Sequence, residues 1–435
     1  MSNGMVRMVV FGMGNRARKY LRHMVALEDV VEVVAVVERD ALRLAEGKSE
    51  FGFVSEICYP SVDAFFTSGV QADAALVATP DDSHFGIAMR ALGSGMALLL
   101  EKPMAVTEDQ CLSLVSAASA SSRPAGLCYV LRYHPYYNRL RELSTLSGLG
   151  RIVSVHHKVV VGVDRMTHTF VRGLWSRSED SSPIFLSKCC HDVDWLFSLV
   201  GLTDISEIET VDSKGSLSRY CAASAPSGSA LRCIDCPLES SCRYSAVDLY
   251  CRRGEWTGNF IPAEGETRNE VIERELREGK FGRCVYHCDN DVEDFRRAVF
   301  HLKSGVTIDV TMDGIADADG RETVIEFEHG RIEASDGRID VILDGNFPLS
   351  LPSLPASSPV VRTQDSFSLG SLSWQTASED WTAVCRQPFH AGADFAIVDD
   401  FLSAVRTGAP MRSPLSSALS SALPATLACL RASSR

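Results

Sequence analysis

Seven residues, Phe11-Gly12-Met13-Gly14-Asn15-Arg16-Ala17, constrain this chain more than any other stretch. They read G-x-G-x-x-A and sit between an apolar run, Arg7 to Phe11, and a helical pattern from Arg16 to Leu27. In that context the first glycine permits a tight turn and the second lets the backbone approach a pyrophosphate. Ala17 allows close helix–strand packing, and the helix N-terminus attracts phosphate. The next strand, Val30 to Val37, ends in Glu38, twenty-one positions past Ala17. An acid there binds the ribose 2′-hydroxyl. The candidate cofactor contacts are therefore Gly12, Met13, Gly14, Asn15, Arg16, Glu38 and Arg39. Glu38 favours NAD, because a carboxylate repels a 2′-phosphate; Arg39 beside it leaves NADP open.

The surrounding rhythm agrees. Residues 74–78, 97–100 and 126–132 read as buried strands, and 41–50 and 84–92 as helices. A further helix opens on a capping box, Thr107 to Gln110. Residues 1–130 thus form an α/β Rossmann domain with a parallel sheet. Past about Arg151 the pattern becomes α+β. Hairpins are expected around Lys303-Ser304-Gly305 and His329-Gly330, with helices over 192–199, 267–279 and 394–405. Residues 131–435 are read as a second domain on a large, mostly antiparallel open sheet. Two stretches look inserted: a cysteine-rich one over 213–282 and a Ser/Pro-rich loop over 344–388. An apolar helical tail ends the chain and packs on the body.

The strand Ala97 to Leu100 ends in Glu101-Lys102-Pro103. Ligands of open parallel sheets lie outside the carboxyl ends of the strands. Lys102 therefore points to the cofactor cleft, beside Thr79-Pro80 at the end of the preceding strand.

Composition narrows the partners. The net charge of −13 over 435 residues argues against duplex nucleic acid and anionic membrane, which need a basic surface. No signal-peptide pattern or membrane-length apolar run is present, and the expected compartment is the cytoplasm. Fourteen cysteines are too dilute for a disulfide scaffold. Cys233, Cys236 and Cys242 have the spacing to hold three corners of a structural zinc site; unliganded thiols are the alternative. Arg172 and Trp175 are candidates to line a sugar pocket, or else a surface arginine and a core tryptophan. His156 and His157 alternate faces on a strand, so at most one can enter a site. G-x-S-x-G and Walker A motifs are absent.

Taken together, G-x-G-x-x-A, Thr79-Pro80 with His84 four residues on, Glu101-Lys102-Pro103 and Ser187-Lys188-Cys189-Cys190-His191-Asp192-Val193-Asp194 resemble the Gfo/Idh/MocA family. The resemblance implies hydride transfer between a nicotinamide and a sugar, cyclitol or related polyol. It implies that Lys102 and His191 carry the proton chemistry, that Asp194 and Lys188 reach the substrate, and that His84 and Glu101 belong to the cofactor side. It also implies a cis bond before Pro103 and a homodimer or homotetramer built on the open sheet face. Ser187 departs from the pattern, since many members carry an aspartate there. That departure leaves room for a redox-neutral glycosidase with tightly held NAD. A non-catalytic NAD-binding sensor is the other rival, which the presence of Lys102 and His191 disfavours.

Overall fold

The computed structural model describes residues 4–347, 349–354, 359–369 and 372–430. Six parallel strands form the first sheet: β1 (Val6–Phe11), β2 (Val31–Val37), β3 (Cys58–Tyr59), β4 (Ala74–Val77), β5 (Ala97–Leu100) and β6 (Ala125–Leu127). Their order is β3-β2-β1-β4-β5-β6. β4 and β5 are buried at every position, as strands covered on both faces must be. The helices of this half are α1 (Asn15–Met24), α2 (Ala41–Phe51), α3 (Val62–Thr67), α4 (His84–Gly93) and α5 (Glu108–Ala120). Thr107 caps α5 through the Gln110 N–H, as its sequence suggests. The expected strand over 126–132 is shorter: after Leu127 the chain turns through a 3-10 helix, Val130–Arg132. The next helix, α6 (Pro135–Leu143), follows directly, with proline in its first turn.

Nine strands form the second sheet: β7 (Ile152–Val160), β8 (Ile208–Ser216), β9 (Phe295–Leu302), β10 (Thr307–Asp313), β11 (Gly320–Phe327), β12 (Gly330–Ser335), β13 (Arg338–Asp344), β14 (Val361–Leu369) and β15 (Leu372–Asp380). The order is β14-β15-β13-β12-β11-β7-β10-β9-β8, antiparallel except for β7 with β10. Two expectations are corrected here. Residues 213–216 belong to β8, so the insertion starts later than 213. The stretch 344–388 is not all loop. Its polar, Ser-rich residues pair as the edge hairpin β14–β15, because an edge strand tolerates polar side chains on both faces. Pro348, 355–358 and 370–371 of that stretch lie outside the described residues.

The helix α7 (Ile184–Leu199) is two turns longer than its sequence suggests. Thirteen of its sixteen residues are buried. A helix enclosed on all sides loses the apolar stripe by which sequence reveals it. α7 packs on the second sheet through Phe197 against Phe300, ring centres 5.2 Å apart. In the insertion, α8 (Arg268–Arg277) begins at the expected capping box, Thr267 with Glu270. The chain then returns. From α9 (Ala393–Thr407), Ile397, Val398, Phe401 and Leu402 share a core with Met8 and Val10 of β1. The tail helix α10 (Leu415–Leu430) packs against α5 and α7.

Candidate active site in the cleft between the sheets

The glycine turn is shaped for a phosphate. Gly12 has φ +96°, and a Cβ there would lie 2.4 Å from the Ala78 carbonyl oxygen. Only glycine fits. Gly14 opens onto free space, with no atom within 4 Å of a Cβ built there. It is also the N-cap of α1, and no side chain caps the helix. The first amides of a ten-residue helix are thus left for a ligand, and the dipole favours an anion. Glu38 is buried at the end of β2, accepting from the backbone N–H of Met13 (2.9 Å) and Asp40 (3.0 Å). Each carboxylate oxygen keeps a further lone pair for a hydroxyl. These features fit a dinucleotide.

The remaining candidates on this side divide. Asn15 and Arg39 are exposed at the mouth of the turn, while the Met13 side chain is buried. Arg16 turns inward. It donates to Glu101 and to Asp394 of α9, both at 2.7 Å. Burial pushes the Glu101 carboxyl up, yet Arg16 and Lys102 outweigh it and hold the group below its ordinary range. Thr79 Oγ1 accepts from Ser83. Pro80 follows in extended backbone and opens a 3-10 turn. His84 is a brace rather than a cofactor contact. Its ring nitrogens lie 2.8 Å from the Pro103 carbonyl and 3.0 Å from that of Thr79, tying the ends of β4 and β5 together.

Across the cleft, Lys102 meets the helical turn that precedes His191. The Lys102–Pro103 bond is cis. Lys102 Nζ donates to the carbonyl of Ser187, one helical turn before His191 on α7. His191 Nε2 lies 3.1 Å from Arg321 Nη2, and Nδ1 lies 3.2 Å from Asp192 Oδ2 without the alignment of a hydrogen bond. Burial holds the imidazole well below its usual pKa, so it is neutral at neutral pH. A guanidinium only donates, so Nε2 accepts and Nδ1 carries the ring proton, with no hydrogen-bond partner among the described residues. Lys188 faces Arg165, Arg321, Asp319 and Asp192. Burial first, then the two arginines, push its amine down to about 7.

The sequence reading missed the charged frame behind His191. Arg321 of β11 pairs with the fully buried Asp192, which also meets His157 Nε2 at 3.2 Å. His157 Nδ1 in turn contacts Thr323 Oγ1 at 2.9 Å. Of the two adjacent histidines, His157 is the one that enters, and His156 is exposed. Nothing local in the sequence links β7, α7 and β11. A second missed group is His390, in a turn where Phe389, His390 and Ala391 all have φ between 50° and 57°. Three consecutive non-glycine residues in left-handed backbone are rare, and such strain gathers at functional sites. The turn presents His390 Nδ1 to Asp394 at 2.9 Å.

Two expected site residues are structural instead. Asp194 is buried and accepts two hydrogen bonds from Arg132 (2.6 and 2.7 Å) and one from Ser421 of α10 (2.9 Å). It ties three elements together and has no face for substrate. Arg172 is fully buried, donating to the carbonyls of Arg283 (2.7 Å) and Tyr244 (2.6 Å) and to Cys233 Sγ (3.5 Å). That arrangement also corrects the zinc expectation: a guanidinium cation already sits against Cys233. All thiols among the described residues are free, and no group of three potential ligands there can hold a metal ion. Trp175 does line a cavity, with its indole N–H on Asp81 at 3.1 Å.

Comparison with known proteins bears on the family and the fold. Residues 6–127 match the model of an oxidoreductase family with an NAD-binding Rossmann fold. A putative oxidoreductase, YteT, of Bacillus subtilis (strain 168) is 22% identical over 323 residues, which is 70% of each chain. Inositol 2-dehydrogenase 3 of Saccharopolyspora erythraea is 31% identical over 152 residues, 35% of this chain and 44% of that one. The chain therefore spans less than half of the inositol enzyme. The solved UDP-N-acetylglucosamine 3-dehydrogenase GnnA from Acidithiobacillus ferrooxidans superposes with TM-score 0.59, covering 98% of both chains at 15% identity. That match speaks for the fold.

Proposed function

Because the chain belongs to the Gfo/Idh/MocA family of NAD-binding oxidoreductases, we propose that it transfers hydride between NAD and a CH–OH carbon of a sugar, cyclitol or related polyol. The observation that carries this reading is the pairing of Lys102, at the end of β5, with the α7 turn that holds His191. Bound NAD supplies a two-electron hydride acceptor. The Lys102 ammonium holds the carbinol oxygen as a hydrogen-bond donor and stabilises negative charge that develops on it. The neutral His191 takes the hydroxyl proton at Nε2, the nitrogen that faces the Arg321 guanidinium in the free protein. Asp192 stabilises the imidazolium, Arg321 meets the His191 ring, and Asp192 joins that pair to His157. Glu38 supports NAD over NADP at the ribose. Ser187 has no carboxylate to assist His191, so the frame of Arg321, Asp192 and His157 takes over its orientation. The ion-paired open face of the second sheet, with Arg297–Asp309 and Lys158–Asp313, is the surface on which we place a homodimer or homotetramer contact.

The test is absorbance of reduced nicotinamide with NAD or NADP and a panel of myo-inositol, free sugars, nucleotide sugars and aryl glycosides. Growth of the band with one polyol or sugar supports the reading and picks the cofactor. A flat trace with release of the aryl group sinks it and favours a redox-neutral glycosidase.

A further inference from the structure

Beside His191 the carboxylates are matched and one cation is left over. Asp192 is held by Arg321, and Asp319 by Arg165 at 2.7 Å. Asp319 also accepts from the Gly162 N–H at 3.0 Å. Lys188 lies one helical turn before Asp192 on α7, and so on the same face. Its neighbour Ser187 gives its carbonyl to Lys102, which puts this turn at the cleft. Lys188 Nζ has no hydrogen bond or ion pair among the described residues. An ammonium withdrawn from water without a partner is unfavourable.

The strand pairing assembles this cluster. Val160 at the end of β7 sits opposite Gly320 at the start of β11. Gly162 and Arg165 follow β7, while Asp319 and Arg321 stand on either side of Gly320. Arg321 then reaches the His191 ring on α7. Arg165 uses only Nε on Asp319, and its guanidinium lies over the Trp256 ring at 5.1 Å. Its two Nη groups make no hydrogen bond among the described residues. Burial, then Arg165 and Arg321, hold the Lys188 amine down to about 7, and an anion bound between them reverses that balance. The chain carries a net charge of −13, so this ammonium is no part of a generally basic surface. The phosphates of a dinucleotide belong to the glycine turn at the end of β1. An anion beside His191 therefore arrives with the substrate.

We propose that the polyol substrate carries a carboxylate, as an aldonic or uronic acid does, and that Lys188 and Arg165 receive it. An ammonium and the free edge of a guanidinium donate charge-assisted hydrogen bonds to its two oxygens. Asp192 and Asp319 flank the pair and disfavour the dianion of a phosphate ester. Ser187, with no charge of its own, adds no repulsion. The assignment rests on the hydride-transfer reading of this site and narrows its substrate class.

Calorimetric titration of the full-length protein in saturating NAD tests it with pairs of ligands that differ in one group. The pairs are D-gluconate with D-glucitol, and the uronate with the parent hexose in the gluco, galacto and manno series. At least one acid is expected to bind about tenfold or more tighter than its neutral partner, the loss typical of a charged hydrogen bond. Lys188→Met is expected to bring that ratio to within about twofold of unity while NAD affinity holds. If no acid reaches that preference, or if Lys188→Met retains it, the proposal is overturned. Hexose phosphates bound more tightly than the uronates would also overturn it. Absorbance of reduced nicotinamide on the same panel separates the two readings. An acid that binds through Lys188 but reduces no NAD keeps the carboxylate site and sinks the dehydrogenase. A neutral polyol oxidised as well as every acid keeps the dehydrogenase and sinks the carboxylate site.

Discussion

At the end of β1, Gly12 is held by one strand on each side: its N–H donates to Val37, and the Ala78 carbonyl fills the space a side chain would take. On α7, Asp194 stands three residues from His191 yet faces away, to Arg132 and Ser421. Both positions belong to motifs of similar length. The first makes the turn its motif suggests because backbone geometry alone defines it, within one strand–turn–helix unit. The second does not, because a helix buried on all sides distributes neighbouring side chains to different partners. Short spacing predicts a turn well and a helix face poorly when every face is covered.

The largest effect that would sharpen this contrast lies at Lys102. Lys102→Met should lower the rate of hydride transfer by about a thousandfold, within the range for positioned proton-transfer groups, while NAD affinity by fluorescence titration stays within twofold. A variant that keeps full activity would move the chemistry elsewhere. Next comes Asp194. Asp194→Ala leaves the half-buried Arg132 charge without its carboxylate and should cost about 2–3 kcal/mol in denaturant unfolding. A variant as stable as wild type with a raised KM would return Asp194 to the substrate. Gly12→Ala should cost about 2 kcal/mol or more through the left-handed φ and the clash with Ala78, and should abolish NAD binding; unaltered melting would break the account of the turn.

Lys188 offers a pH test. Its folded pKa of about 7 lies below the ordinary lysine value of 10.5. Between those two pH values the unfolded chain holds more protons, so this residue makes stability rise with pH across that window. Below pH 7 both states are charged and the burial cost is present in full. Lys188→Met should therefore exceed wild type in stability at pH 6, on the order of 2 kcal/mol, with the gap shrinking by pH 9. A gap independent of pH would show that Lys188 does not titrate there. The smallest expected effect is at His390. His390→Asn keeps a residue that tolerates positive φ, so melting should hold while kcat/KM falls about tenfold. Unchanged kinetics would leave the turn a structural feature.

By itself the sequence determined the parallel sheet, the glycine turn and Glu38 at the second strand end. These rest on local periodicity, turn chemistry and strand-end geometry, all written in contiguous residues. Only the tertiary structure decided that Arg172 anchors the insertion beside Cys233, that Asp194 binds the tail helix, and that Arg321, Asp192 and His157 frame His191. Those outcomes depend on which buried groups find partners 35 to 227 residues away. Burial makes such pairing obligatory, and sequence spacing carries no record of who the partner is.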